Sequence, residues 1–426
     1  MESLIKGADL STLLEVEECG GKFYDDGREA DAMEILKAHG VGLVRLRLWN
    51  DPYSADGRPY GAGTCDLPRV MKLAARAKAL GLPWMLDFHY SDFWADPGKQ
   101  FLPKAWRGMD EAGLAQAVHD YTRDTLLTLK NCGLLPAYVA VGNEITNGLL
   151  WPVGKRWIDA EETGQPDDHA KSGPRPNTAA MVRLLNSGIH AVREAAPDAK
   201  VILHLDQGGN NALYRDWFDA YLAQGGEDFD VIGLSYYPFW HGTMEDLRTN
   251  LTDLAKRYHK PMMIVETAMA FTYEEYQLKE EPDGMIWGSE GSAAGEVQTG
   301  QNGGDQKKHL AERAGQIEQK AADQQKPLAA GAELGKDLPW PGTPQGQIEF
   351  LRDLARVIRE IPEELCKGFI WWEPAWIPVQ GSGWATPAAL EYLHDKGPGG
   401  NEWANQALFD YEGNALPALD VIRDED

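Results

Sequence analysis

Cysteine is scarce. Cys19, Cys65, Cys132 and Cys366 are the four thiols in 426 residues. They form no Cys-x-x-Cys pair and no Cys/His set at zinc spacing, which excludes a disulfide framework or a structural zinc module and leaves four separate thiols. Positive charge is also short, with 41 Lys and Arg against 66 Asp and Glu, a formal charge of −25. Such a chain repels nucleic acid and anionic lipid alike, so neither is an expected partner. No uncharged apolar run approaches the roughly 20 residues of a membrane helix. Residues Met1 to Asp9 lack a basic stretch followed by an apolar one. The expectation is a cytoplasmic protein, or a secreted one whose signal segment is absent from this sequence. No Gly-x-Gly-x-x-Gly follows a strand-like run, and no Gly-x-Ser-x-Gly occurs, which argues against a dinucleotide sheet and a serine-hydrolase elbow. A neutral ligand fits this charge best, and a monomer is expected.

Short, strongly apolar runs are plentiful. They are Val41–Trp49, Pro83–Tyr90, Tyr138–Glu144, Lys200–Asp206, Val231–Pro238, Pro261–Thr267 and Lys367–Glu373, with Lys6–Ser11 as a weaker opener. Runs of this kind read as strands buried on both faces, the mark of a parallel sheet. Between them, Glu29–His39, Leu67–Leu80 and Met181–Ala195 carry apolar residues at helical spacing, the last after an Asn177-Thr178 start signal. Eight strands alternating with helices predict an α/β fold, a (β/α)₈ TIM barrel forming a single domain over residues 1–426. One segment breaks the rhythm. From Leu278 to Pro344 no strand is expected, only a Gly- and Gln-rich loop and a helix over Gln306–Gln325. It follows the seventh strand, so it is expected at the catalytic face as a lid or cleft wall.

In such a barrel the active site lies at the C-terminal strand ends. Those ends read Asp9; Arg47 and Trp49; Asp87, His89 and Asp92; Asn143 and Glu144; His204 and Asp206; Tyr236 and Tyr237; Glu266; then Trp372, Glu373 and Trp376. Glu144 ends the fourth strand and Glu266 the seventh, on roughly opposite sides of the barrel. Two carboxylates facing one another across a sugar ring, separated by roughly 5–5.5 Å, are what a retaining glycosidase needs. Asn143 offers an amide to the sugar 2-OH, Arg47 or Tyr237 is placed to keep Glu266 ionised, and Glu144 needs a raised pKa to act as an acid. Fifteen tryptophans are the second signal. Several, including Trp49, Trp94, Trp151, Trp240, Trp372 and Trp376, fall at or beyond strand ends, where indole faces stack on the C–H faces of sugars. A metal-dependent hydrolase would want His-x-His on the first strand, which here ends Ala8-Asp9-Leu10, and no metal ligands are assigned. A barrel glycosidase of other specificity, such as a mannanase, and a catalytically silent sugar-binding protein remain open at this point.

Longer motifs narrow the choice. Lys6–Ser11 (KGADLS), Val44–Trp49 (VRLRLW), Leu86–Gln100 (LDFHYSDFWADPGKQ), Val141–Glu144 (VGNE), Leu150–Pro152 (LWP), Asp228–Trp240 (DFDVIGLSYYPFW), Val265–Thr267 (VET), Thr343–Asp353 and Trp371–Pro374 (WWEP) together resemble the endo-β-1,4-galactanases of glycoside hydrolase family 53. The resemblance implies a retaining barrel enzyme acting on internal β-1,4-galactosyl linkages of neutral galactan or galacto-oligosaccharides, the side chains of pectin. By position in those motifs Glu144 looks like the acid/base and Glu266 like the nucleophile. Asp9, Arg47, Trp49, Asp87, His89, Trp94, Asn143, His204, Tyr236, Tyr237, Trp372 and Trp376 look like the substrate-binding set. Some bacterial members hold calcium in the loop after the seventh strand, on an Asp/Asn/His-rich cluster. Phe271–Leu278 (FTYEEYQL) lacks that motif, and Glu274, Asp283 and Asp305 are scattered oxygen donors, so no cofactor is expected.

Overall fold

The computed structural model describes residues 4–158, 175–274, 276, 338–395 and 399–424. Eight parallel strands close on themselves: β1 (Ile5–Asp9), β2 (Leu43–Leu48), β3 (Trp84–Phe88), β4 (Tyr138–Val141), β5 (Lys200–Leu205), β6 (Val231–Ser235), β7 (Met262–Thr267) and β8 (Cys366–Trp371). Each pairs with its neighbours in sequence, and β1 pairs with β8 to complete the cylinder. This is the expected (β/α)₈ barrel. The outer layer is α1 (Ala32–Ala38), α2 (Leu67–Ala79), α3 (Glu111–Asn131), α4 (Thr178–Ala195), α5 (Asn211–Ala223), α6 (Met244–Tyr258), α7 (Pro344–Arg359) and α8 (Ala418–Asp424). Their starts are chemically marked. The side chains of Asp31, Asp66, Asp110, Thr243 and Thr343 accept backbone N–H groups of the first turn, and Thr243 with Asp246 forms a reciprocal capping box.

One expected helix is shorter than its periodicity. Residues before Ala32 instead form a hairpin, Phe23–Asp25 against Arg28–Ala30. Its turn is Asp26-Gly27, and both residues have positive φ, 48° and 73°. That is the requirement of a type I′ turn, which Asp-Gly meets readily. The helix begins only after the Asp31 cap.

Alternation along the strands sorts the core into two shells. On β2, Val44, Leu46 and Leu48 join the large outer cluster beneath the helices, whereas Leu43 faces the barrel axis. Met85, Ala140, Ile202, Val231, Met263, Val265 and Ile370 complete this inner apolar layer, one or two residues from each remaining strand but β1. There Gly7 leaves room: a Cβ on it would stand 2.7 Å from Ile370 Cγ1. Two residues further along, the same inward faces carry Asp9, Arg45, Asp87 and His204, and four residues beyond Val231 comes Ser235, all fully buried.

Residues 277–337 lie outside the described residues, so the expected Gln306–Gln325 helix and the lid reading do too. At the end of that stretch Trp340 is buried against Phe350 at 5.2 Å and donates its indole N–H to Asp353 Oδ2 at 2.9 Å. No helix among the described residues is long and apolar enough to cross a membrane.

Candidate active site

Strand geometry alone does not aim Glu266 inward. Val265 already faces the axis, so alternation would turn its successor outward. A register shift resolves this: Leu234 pairs with Ile264, but the next residue, Ser235, pairs with Glu266. The extra residue in β7 is a bulge, and it turns the Glu266 carboxylate onto the axis. There Glu266 Oε1 receives Arg45 Nη2 at 2.6 Å, and Oε2 receives the Tyr237 hydroxyl at 3.0 Å.

Arg45 is the hub. Its Nη2 also donates to Asp87 Oδ2 at 2.6 Å and to Asn143 Oδ1 at 2.9 Å, and Nη1 pairs with Asp9 Oδ2. A guanidinium that touches four acceptors is fixed in position and stays charged. Burial opposes the charge on Asp87, but Arg45 and His89 hold its carboxyl at about 2. Burial also pushes Glu266 upward, and Arg45 and the Tyr237 hydroxyl oppose that push.

Glu144 sits beyond β4 in a left-handed backbone conformation, φ 46° and ψ 51°. Such a conformation costs a residue with a Cβ roughly 1–3 kcal/mol, and the surrounding structure must enforce it. The side chain is half-buried. Burial, Glu266 and Asp206 push its pKa well above the ordinary carboxylate range, against the Ser235 hydroxyl, which donates to Oε1 at 2.6 Å. Two buried carboxylates that repel one another do not both ionise readily. The proton belongs on Glu144, because Glu266 has the cation.

Several expected substrate ligands occupy other places. Arg47 does not reach Glu266. It lies one pleat further along β2, donates to Glu373 Oε1 at 2.5 Å and to Ala62 O at 3.1 Å, and lies 4.3 Å from the centroid of Trp94. Tyr236 is outside the cleft: it continues the outward face of Ile232 and Leu234, and its hydroxyl donates to Gly242 O at 3.0 Å. Trp49 and Trp376 are fully buried, so neither offers an open indole face. Trp49 instead underlies Trp94 edge-on at 5.2 Å and donates to His89 Nδ1 at 3.3 Å. Asp9, Asp87, His89 and His204 are buried supports beneath the cleft floor. Asn143 is held on both sides, donating to Ala95 O at 2.8 Å, which leaves one amide hydrogen. Trp94 and Trp372 remain half-open, 6.3 Å apart. From Trp372 the aromatic rim continues through Trp403 at 6.1 Å, Trp240 at 5.8 Å and Tyr237 at 5.8 Å.

The family model described as Glycosyl hydrolase family 53 matches residues 5–299 and 305–422, nearly the whole chain. The chain belongs to glycosyl hydrolase family 53. Among its family 53 relatives, an endo-β-1,4-galactanase of Bacillus subtilis is 33% identical over 99% of this chain and 86% of its own length. An arabinogalactan endo-β-1,4-galactanase of Cellvibrio japonicus is 35% identical over 97% of this chain and 89% of its own. The solved catalytic domain of a family 53 enzyme from Ignisphaera aggregans is 36% identical, with a TM-score of 0.75 over 99% of this chain and 95% of that one.

Three residues of this family 53 site escaped the sequence reading. Arg45 was visible as the first arginine of Val44-Arg-Leu-Arg-Leu-Trp49, since period two puts both arginines on one face. Ser235 ends β6 one residue before the tyrosine pair. Trp403 had no signal, lying far beyond the last strand. Among the described residues no group of three or more His, Cys, Asp or Glu side chains is placed to hold a metal ion. Glu274 is within that set; Asp283 and Asp305 are outside the described residues.

Proposed function

We propose that this family 53 glycoside hydrolase is a retaining endo-β-1,4-galactanase in which Glu266 is the nucleophile and Glu144 the acid/base. The observation that carries the reading is the unequal treatment of the two carboxylates. Glu266 is held by Arg45 and Tyr237, while Glu144 faces Glu266 and Asp206 with no cation in contact among the described residues. In the first step a Glu266 oxygen attacks the anomeric carbon. The glycosidic bond breaks, and its oxygen takes the proton from Glu144. The fragment leaving carries a free 4-hydroxyl, and the other is an ester on Glu266. In the second step Glu144, now a carboxylate, takes a proton from water as the oxygen attacks the same carbon from the face the leaving group vacated. Glu266 is released as a carboxylate, and two inversions restore the β-configuration. The free amide hydrogen of Asn143 serves the 2-OH, a contact that strengthens as positive charge develops on the ring. Trp94, Trp372, Trp403 and Trp240 supply apolar faces along the cleft.

Purified protein incubated with potato galactan, mannan and cellulose tests the substrate. Galacto-oligosaccharides from galactan alone, seen first as the β-anomer by NMR, are expected. Release from mannan alone, or first appearance of the α-anomer, overturns the reading.

A further inference from the structure

A closed ring of hydrogen bonds begins and ends on Glu144. Its backbone N–H points at His204 Nδ1 at 3.5 Å, His204 Nε2 lies 2.8 Å from Ser235 Oγ, and Ser235 Oγ lies 2.6 Å from Glu144 Oε1. The proton positions follow from the one donor whose identity is fixed. A backbone amide has only a hydrogen to offer, so His204 Nδ1 is its acceptor and carries none. Burial and the Arg45 charge push the imidazole down to about 3, so the ring is neutral and its single hydrogen is on Nε2. That hydrogen goes to Ser235 Oγ. The serine hydrogen, in turn, goes to Glu144 Oε1.

We infer that Ser235, oriented by His204, is a positioning residue for the acid/base: it keeps Glu144 Oε1 a standing acceptor, so that the transferable proton is carried by Oε2. This rests on the reading of Glu144 as the acid/base and deepens it. The ring has two effects. It ties the carboxyl to the same residue's left-handed backbone, fixing the direction of Oε2. It also supplies a hydrogen bond that favours the carboxylate, moderating the upward push from burial, Glu266 on β7, Asp206 after β5 and Asp96 after β3. Tyr214 on α5 and Tyr237 after β6 face Glu144 as well, and both are neutral, their pKa raised by burial. Ser235 is also backbone-paired with Glu266. One serine therefore spaces both carboxylates: its backbone registers the nucleophile and its hydroxyl holds the acid.

The test is Ser235→Ala in the full chain, with His204→Phe as a second variant that keeps ring volume and breaks the same relay. Losing a hydrogen bond to the charged form moves the basic limb of kcat/KM on galactan up by about one pH unit. At the wild-type optimum kcat/KM on galactan falls by about tenfold or more. With 2,4-dinitrophenyl β-galactobioside, whose leaving group needs no proton, kcat/KM stays near wild type. A merely structural role for Ser235 would lower both substrates together and leave the limb in place, and that result in either folded variant overturns the inference. Glu144→Ala separates the role of Glu144 from that of Ser235. If that variant hydrolyses galactan normally, the assignment of Glu144 falls and this inference with it. If it is inactive on galactan and azide restores turnover of the dinitrophenyl substrate, giving a β-galactosyl azide, an unmoved limb in Ser235→Ala removes only the role of Ser235.

Discussion

Arg45 meets Glu266 through a 2.6 Å ion pair in which the guanidinium is sealed from solvent and the Glu266 side chain is only 8% exposed. Asp9 and Asp87 flank the same guanidinium, so it cannot follow any one partner. The nucleophile is thus held against a fixed charge, which costs no rearrangement during reaction.

Removing that charge should remove most activity. Arg45→Met is expected to lower kcat on galactan by about 10²-fold or more. Arg45→Lys retains charge but has no planar fork to satisfy four acceptors, so it should remain impaired. The sign of the pH effect is definite. Arg45 lowers the Glu266 pKa, so without it Glu266 ionises later and the acidic limb of kcat/KM shifts to higher pH. A pH–rate profile of Arg45→Met measures this.

Glu144→Ala and Glu266→Ala should fail differently. The first should accept azide to give a β-galactosyl azide, because the ester on Glu266 still forms. The second leaves space for azide only on the face opposite the leaving group, and an activated β-galactoside should give the α-azide. Proton NMR of the products distinguishes them.

Trp403→Ala should raise KM for long galactan by about tenfold, within what one large aromatic contact contributes, while kcat on the shortest cleavable oligosaccharide stays near wild type. A series of chain lengths assayed side by side checks it. Equal losses at every length would mean that Trp403 only supports the packing of Trp372.

Glu15 should make fold stability decline as the pH rises from about 4.5 to 7. Burial pushes Glu15 from its ordinary 4.5 to about 7, with Gly63 N–H and Arg69 opposing it. A carboxyl with a raised folded pKa stabilises the fold while it is protonated, and this contribution disappears between about 4.5 and 7. Glu15→Gln, which cannot ionise, should flatten the difference in urea midpoint between pH 5 and pH 8.

The barrel was legible because its signals are local and repeated: apolar runs of strand length, helix starts marked by Asp or Thr, and carboxylates at two strand ends. The helix over Glu29–His39 was over-extended because Ala30 fits a helical face as well as a hairpin edge, and the Asp26-Gly27 turn outweighed it. Arg47 reads as a site residue from sequence because it lies at the strand end, and Arg45 does not. Depth along the strand decided otherwise, since Asp9 and Glu373 divide the two arginines between them. Tyr236 and Tyr237 are adjacent, so only one of them can face the axis, and sequence alone does not say which when a bulge follows on the next strand. The hydrogen-bond ring through Ser235 and His204 joins three strand ends, a relation no single stretch of sequence contains.

The inner layer of Leu43, Met85, Ala140, Ile202, Val231, Met263, Val265 and Ile370 gives the catalytic chamber a stopper of hydrocarbon. That layer fills the barrel axis below Arg45, so among the described residues the doorway to the chamber lies on the C-terminal side of the strands. The departing chain end and the water that replaces it must therefore use the same opening, in turn. While the first lingers there, a second sugar hydroxyl competes with water for the ester on Glu266. At high oligosaccharide concentration, chain lengthening by transfer should accompany hydrolysis, in a ratio set by occupancy of that doorway.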